Sequence, residues 1–217
     1  MNDLVFLEPN KIDAVPFTTS DVIAEYAQTK HHAVQQMILK HEKALSTLGK
    51  VAFEMRPSEL SKTGQSEKVY HLNEPQATLL ITFLKNTEPV VKFKTELVKQ
   101  FYLMRTELQK RQIAKLDRKP IRRELTDVIQ EDPDHNKWDF KLYTDLSYKT
   151  ALGKNAAQIR KDRGANKTAV ASDYMTAEEI KAVSKLESQI AALKELGMNY
   201  QQIKMLLLNR KLVGNIA

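Results

Sequence analysis

A chain of 217 residues with 34 Lys and Arg against 27 Asp and Glu carries a net charge of +7. Its pI near 9.4 favours acidic partners such as nucleic acid without deciding the fold. The absence of cysteine excludes disulfides and thiolate chemistry and fits a reducing cytoplasm. No apolar run reaches the ~18 residues of a membrane-spanning helix and no signal-peptide pattern opens the chain, so a membrane role is not expected.

In chain order, Leu4-Val5-Phe6-Leu7 is a short apolar run that stops at Glu8-Pro9-Asn10, which favours an edge strand pairing with a later hairpin over an arm packed on the first helix. A first helix is predicted to start at Thr19 or Ser20, whose hydroxyl suits an N-cap, with Asp21 in the first turn and Val22, Ile23, Tyr26 and Ala27 facing inward. Gln28-Thr29-Lys30 is the turn. The second helix, through residue 45, would bury Val34, Met37, Ile38 and Leu45. That spacing turns Lys30, His31, His32, Gln35, Gln36 and Lys40 outward, residue types that reach phosphates and base edges in a major groove. Ser20 and Thr29, at the helix start and the turn, complete this candidate DNA-binding set.

Val51–Met55 and Val69–Leu72 alternate apolar and polar residues around a polar loop, predicting a hairpin. Its Arg56, Lys62 and Lys68 are the candidate phosphate contacts of a wing. Asn73-Glu74-Pro75-Gln76 has Asn as cap, Pro in the first turn and Gln at the capping-box position, so a helix is predicted from there through Leu84. A longer helix follows from Glu88-Pro89, with Val90, Leu97, Phe101, Met104 and Leu108 forming a short seam. The seam can pack on its own domain or, through helix 89–112, on a second copy of the chain.

Basic residues gather from Lys110 to Arg123, and Asp117-Arg118-Lys119-Pro120 is read as the boundary between domains 1–116 and 117–217. The basic run suits either a solvated linker or a path along nucleic acid. Beyond it the pattern is helical: a helix around Ile121–Ile129, another from Trp138 closed by Gly153, and a short piece capped by Asn155. After a polar, irregular stretch, Thr176-Ala177-Glu178-Glu179 opens a helix with Ile180, Val183, Leu186, Ile190, Leu193 and Leu196 on one face. Asn199 caps a final helix. The fold class is mainly α with a small β-hairpin, a winged helix-turn-helix-like N-terminal domain followed by a small all-helical C-terminal domain.

Signatures of chemistry fail on inspection. His41-Glu42 begins a zinc-protease motif, but Leu45 stands where its second histidine belongs. Gly153-Lys154 ends like a phosphate-binding loop, yet Tyr148 replaces its first glycine and Asn155 its Ser or Thr. No catalytic residue, cofactor site or metal site is named, and the chain is not expected to be an enzyme.

Phe17-Thr18-Thr19-Ser20-Asp21-Val22-Ile23-Ala24, Lys30-His31-His32-Ala33-Val34 and Tyr70-His71-Leu72-Asn73-Glu74, followed by Ala77-Thr78-Leu79-Leu80 and Val91-Lys92-Phe93-Lys94, resemble the Rha family of phage regulatory proteins over residues 17–112. Tyr143–Lys149, Gly153–Ala156 and Arg160–Gly164 are similar to C-terminal domains of phage antirepressors. The resemblance implies a phage or prophage regulator acting in the host cytoplasm. Two readings stay open: a transcriptional regulator that binds double-stranded DNA, or an antirepressor that binds a repressor or other regulatory protein. Residues 1–112 hold 15 basic and 13 acidic side chains, a weak excess that keeps the second reading in play.

Overall fold

The computed structural model describes residues 3–57 and 66–214. It is mainly helical, with one small antiparallel sheet. The chain divides into two compact units, Met1–Glu8 with Ala14–Thr106, and Pro9–Asp13 with Glu107–Ala217.

In the first unit the order is β1 (Phe17–Thr19), α1 (Ser20–Tyr26), α2 (His31–Lys40), α3 (Glu42–Thr47), β2 (Ala52–Pro57), β3 (Ser66–Asn73), α4 (Glu74–Thr82) and the first part of α5 (Glu88–Glu131). The sheet has the order β1-β3-β2, with Phe17 opposite Asn73 and Ala52 opposite His71. The N-terminal run does not join the hairpin. It makes one bridge, Phe6 to Phe17, and drives Leu4 and Val5 into the core. The expected second helix is two helices, interrupted at His41 (φ −107°, ψ 16°), so that Leu45 enters the core from α3.

The core of this unit joins Ile23 and Ala24 of α1, Val34 and Ile38 of α2, Leu72 of β3, Leu80 of α4, and Val90, Phe93, Leu97 and Phe101 of α5. Each large side chain among them contributes about 1.5–3 kcal/mol by leaving water. The seam from Val90 to Phe101 is therefore buried within its own unit. Local chemistry fixes α4: Asn73 accepts from the Gln76 N–H while the Gln76 side chain accepts from the Asn73 N–H, the reciprocal bonds of a capping box. Thr19 precedes α1 but makes no capping bond with its side chain.

The second unit contains the rest of α5, then α6 (Asp139–Leu152), α7 (Ala156–Asp162), a 3-10 turn at Ala171–Tyr174, α8 (Ala177–Glu195) and α9 (Tyr200–Gly214). Helix α5 continues through Pro120 rather than ending there. Proline removes one helical hydrogen bond and crowds the preceding turn. Ala114, Arg118, Leu125 and Ile129, buried on both sides of it, hold the helix together against that cost. Two apolar clusters fill the unit, one around Tyr148, Met175, Ile180 and Val183, the other around Leu125, Ile129, Leu146, Ile190 and Ile203. On α8 the apolar face holds at Ile180, Val183 and Ile190, but Glu187 is fully buried and Leu196, which caps the helix end, is 79% exposed.

Glu187 is buried because Arg118 forks onto it, Nε to Oε2 and one terminal nitrogen to Oε1, both at 2.7 Å. Arg122 adds a third contact at 3.3 Å and donates to Thr144. Arg111, also buried, bonds Glu107 and Asn10. Part of the basic run is thus internal wiring and not a solvated surface. Among the described residues no helix is long and apolar enough to cross a membrane.

Candidate nucleic-acid interface

Helix α1, the turn at Ala27–Lys30 and helix α2 carry Ser20, Thr29, Lys30, His31, His32, Gln35, Gln36 and Lys40, and α2 is bonded to β3 of the hairpin through His31 and Gln35. The turn depends on Gln28, which adopts φ 53°, a left-handed conformation that reverses the chain in few residues. Val34 and Ile38 anchor α2 from beneath. Opposite them Thr29, Lys30, His32, Gln36 and Lys40 are all exposed. His32, Gln36 and Lys40 follow each other at four-residue intervals on one face of α2, with Thr29 in the turn just before it.

His31 and Gln35 have a different job. Ser20 is fully buried, its Oγ accepting from the Tyr70 N–H at 3.0 Å and lying 2.8 Å from His31 Nε2. His31 Nδ1 lies 3.0 Å from Glu67 Oε2. With its proton on Nδ1, His31 donates to Glu67 and accepts the Ser20 hydroxyl proton, so every member is satisfied. Gln35 donates its amide to the Lys68 carbonyl at 2.8 Å. These bonds tie α1 and α2 to β3 and set the hairpin's position against the exposed face. Ser20 is a buried positioning group and does not reach solvent.

In the hairpin Arg56 is held by Asp21 Oδ2 at 2.9 Å and by Glu54. Lys68 sits over the Phe53 ring, 4.2 Å from its centroid, and 5.7 Å from that of Tyr70. Lys62 lies outside the described residues. Burial alone would raise the Glu54 carboxyl. The nearby His71 imidazole and the bonded Arg56 guanidinium outweigh it and hold the group below the usual carboxylate range, so Glu54 stays ionised. Two of the three expected wing cations are therefore already engaged, and among the described residues of α2 and the turn before it the open charge comes from Lys30 and Lys40. No set of three or more His, Asp or Glu side chains among the described residues is placed to hold a metal.

Sequence spacing does not reveal Glu67, Glu54 or Asp21 as members of this arrangement. Glu67 and Asp21 have their partners on other elements, 36 residues away for His31 with Glu67 and 35 for Arg56 with Asp21, and Glu54 meets Arg56 within β2. The alternation of β3, which points Glu67 and Val69 to the same side, is the nearest signal the sequence offers.

No curated protein matches this chain significantly. The family model described as phage regulatory protein Rha matches residues 18–106, a span that opens at β1, takes in the helices, hairpin and exposed face just described, and ends at the last residue of the first unit. Over residues 18–106, then, the chain is similar to the phage regulatory protein Rha family.

Proposed function

We propose that the protein is a phage or prophage regulator that binds double-stranded DNA through α2, with the β2–β3 hairpin as a wing. The observation that carries this reading is the exposed row Thr29, His32, Gln36 and Lys40, led by Lys30 at the helix start. Its members make no side-chain bonds within the described residues, whereas their neighbours His31 and Gln35 are used to brace the helix. A helix braced from behind, with amide, imidazole and ammonium groups free in front, is what reading a major groove demands. Gln36 and His32 reach base edges; Lys30 and Lys40 take phosphates.

A second reading, antirepression by contact with another protein, is favoured by the edge strand β2. Phe53 and Met55 there are 52% and 57% exposed, while the adjacent Arg56 is occupied by carboxylates. Fluorescence anisotropy of the full-length protein with random-sequence duplex, at two salt concentrations, separates the readings. Salt-sensitive binding, with a slope reduced by about 0.9 in Lys30→Ala, supports DNA contact through α2. Absence of binding at low salt would leave the protein-contact reading, whose own test is co-purification with a phage repressor and its loss in Phe53→Ser.

A further inference from the structure

A cavity of about 360 Å³ lies in the first unit between the N-terminal arm, the start of α1 and the sheet. It is separate from the outward row of α2. Three carboxylates line it, Glu8, Asp21 and Glu54, against the single guanidinium of Arg56. Arg56 is already bonded to Asp21 and Glu54, so the cavity keeps an excess of negative charge and of acceptors.

The second observation is independent of that charge. Thr19 also lines the cavity, is 2% exposed, and its hydroxyl has no hydrogen-bond partner among the described residues. The same holds for Asp21 Oδ1, while His71 Nε2 stands 3.4 Å from Glu54 Oε1 without a hydrogen bond of good geometry. Buried polar atoms are normally paired, and several unpaired ones around one cavity mark a place where something else completes the set. Asp21 Oδ1 can only accept and the Thr19 hydroxyl can accept, so a group rich in donors would complete both. The walls beside them are aromatic: Phe17 stacks on His71 with centroids 4.5 Å apart and planes 6° apart, and Phe6 lies 6.0 Å from Phe17.

We propose that this cavity binds a guanidinium or primary alkylammonium group. Such a group supplies several N–H donors and a positive charge at once, and a flat guanidinium can lie against Phe6 or Phe17. Arg56 already shows the chemistry at one end of the cavity, where its guanidinium joins Asp21 to Glu54. The group can arrive on a free polyamine-like molecule or on the arginine or lysine side chain of a protein partner.

The test is NMR titration of the isotope-labelled full-length protein with agmatine, with acetyl-arginine amide, and with acetyl-citrulline amide, the neutral counterpart of the second. Saturable shifts at Phe17, Thr19, Glu54 and His71 from the cationic probes, and none from the citrulline probe, are expected. Tighter binding of acetyl-arginine amide assigns the site to a protein side chain; tighter binding of agmatine assigns it to a free amine. Thr19→Val removes an unpaired hydroxyl at nearly constant shape, so its melting temperature should hold or rise while affinity drops. Glu54→Gln should lower affinity by about tenfold or more, the loss of a charge-assisted hydrogen bond. No saturable shift, equal shifts from the citrulline probe, or native-like Thr19→Val and Glu54→Gln proteins with unchanged affinity would each overturn the proposal.

Discussion

Gln35 on α2 donates its side-chain amide to the backbone carbonyl of Lys68 on β3 at 2.8 Å, while Gln36, the next residue, faces solvent. Two adjacent residues of the same type thus have separate consequences. Gln35→Ala is expected to cost about 0.5–1.5 kcal/mol of stability, the net worth of one hydrogen bond. Gln36→Ala should leave urea denaturation unchanged and, on the DNA-binding reading, reduce discrimination at one base pair by about 1–3 kcal/mol. Loss of sequence preference in Gln35→Ala but not in Gln36→Ala would reverse the two assignments.

Ser20→Ala should destabilise the first unit by about 1–3 kcal/mol, because it leaves the buried Tyr70 N–H and one His31 nitrogen without a partner. Thermal melting of the variant checks this. A change within a few tenths of a kcal/mol would show that the Ser20–His31–Glu67 series does not brace α2.

In the second unit the buried pair gives a stronger effect. Glu187→Ala leaves the Arg118 guanidinium buried beside only the Tyr148 hydroxyl, at 3.2 Å, and should cost about 3–5 kcal/mol. Replacing both residues by leucine should recover much of that loss, since the cost lies in the stranded charge. A double variant as unstable as the single one would place the stabilisation in the pair's attraction instead.

Lys194 and Asp132 make an ion pair that yields a pH dependence of known sign. The hydrogen bond from Lys194, helped by the Asp134 N–H, holds the Asp132 carboxyl below its ordinary value. Its contribution is therefore present above the unfolded carboxylate range and lost as pH falls through the lowered folded value. For Lys194, burial works to lower the pKa but the bond to Asp132 outweighs it and the net shift is upward, so that contribution disappears as pH rises past the folded value. Asp132→Asn should flatten both limbs of the stability profile. An unchanged acid limb in chemical denaturation across pH would remove Asp132 from the account.

Gly49 occupies φ +133°, and a Cβ there would stand 2.9 Å from the Asn73 side-chain nitrogen. That amide donates to the Leu48 carbonyl, so a methyl group would both strain the backbone and push on the start of α4. Gly49→Ala should cost on the order of 1–3 kcal/mol in a urea titration.

Features written in short-range chemistry were legible from the sequence. Asn73 with Gln76 and Thr176 with Glu179 predicted helix starts because the bonding partners are three residues apart. The mainly helical architecture with one hairpin followed from apolar spacing. Pro120 misled, because a local helix-breaking preference met tertiary packing on both sides of it. His31 and Gln35 read as outward residues because spacing assigns a face and cannot say whether β3 covers part of it. Glu187 sits where helical spacing wants an apolar residue, and only Arg118, 69 residues away, explains it.

Asn73 closes β3, caps α4 and bonds the end of α3 through Leu48. Sliding β3 by a single step would misplace the cap and the α3 contact together, so strand register is indexed to the helices. The pairing that sets Phe17 opposite Asn73 therefore places β1, the end of α3 and the start of α4 in a single step.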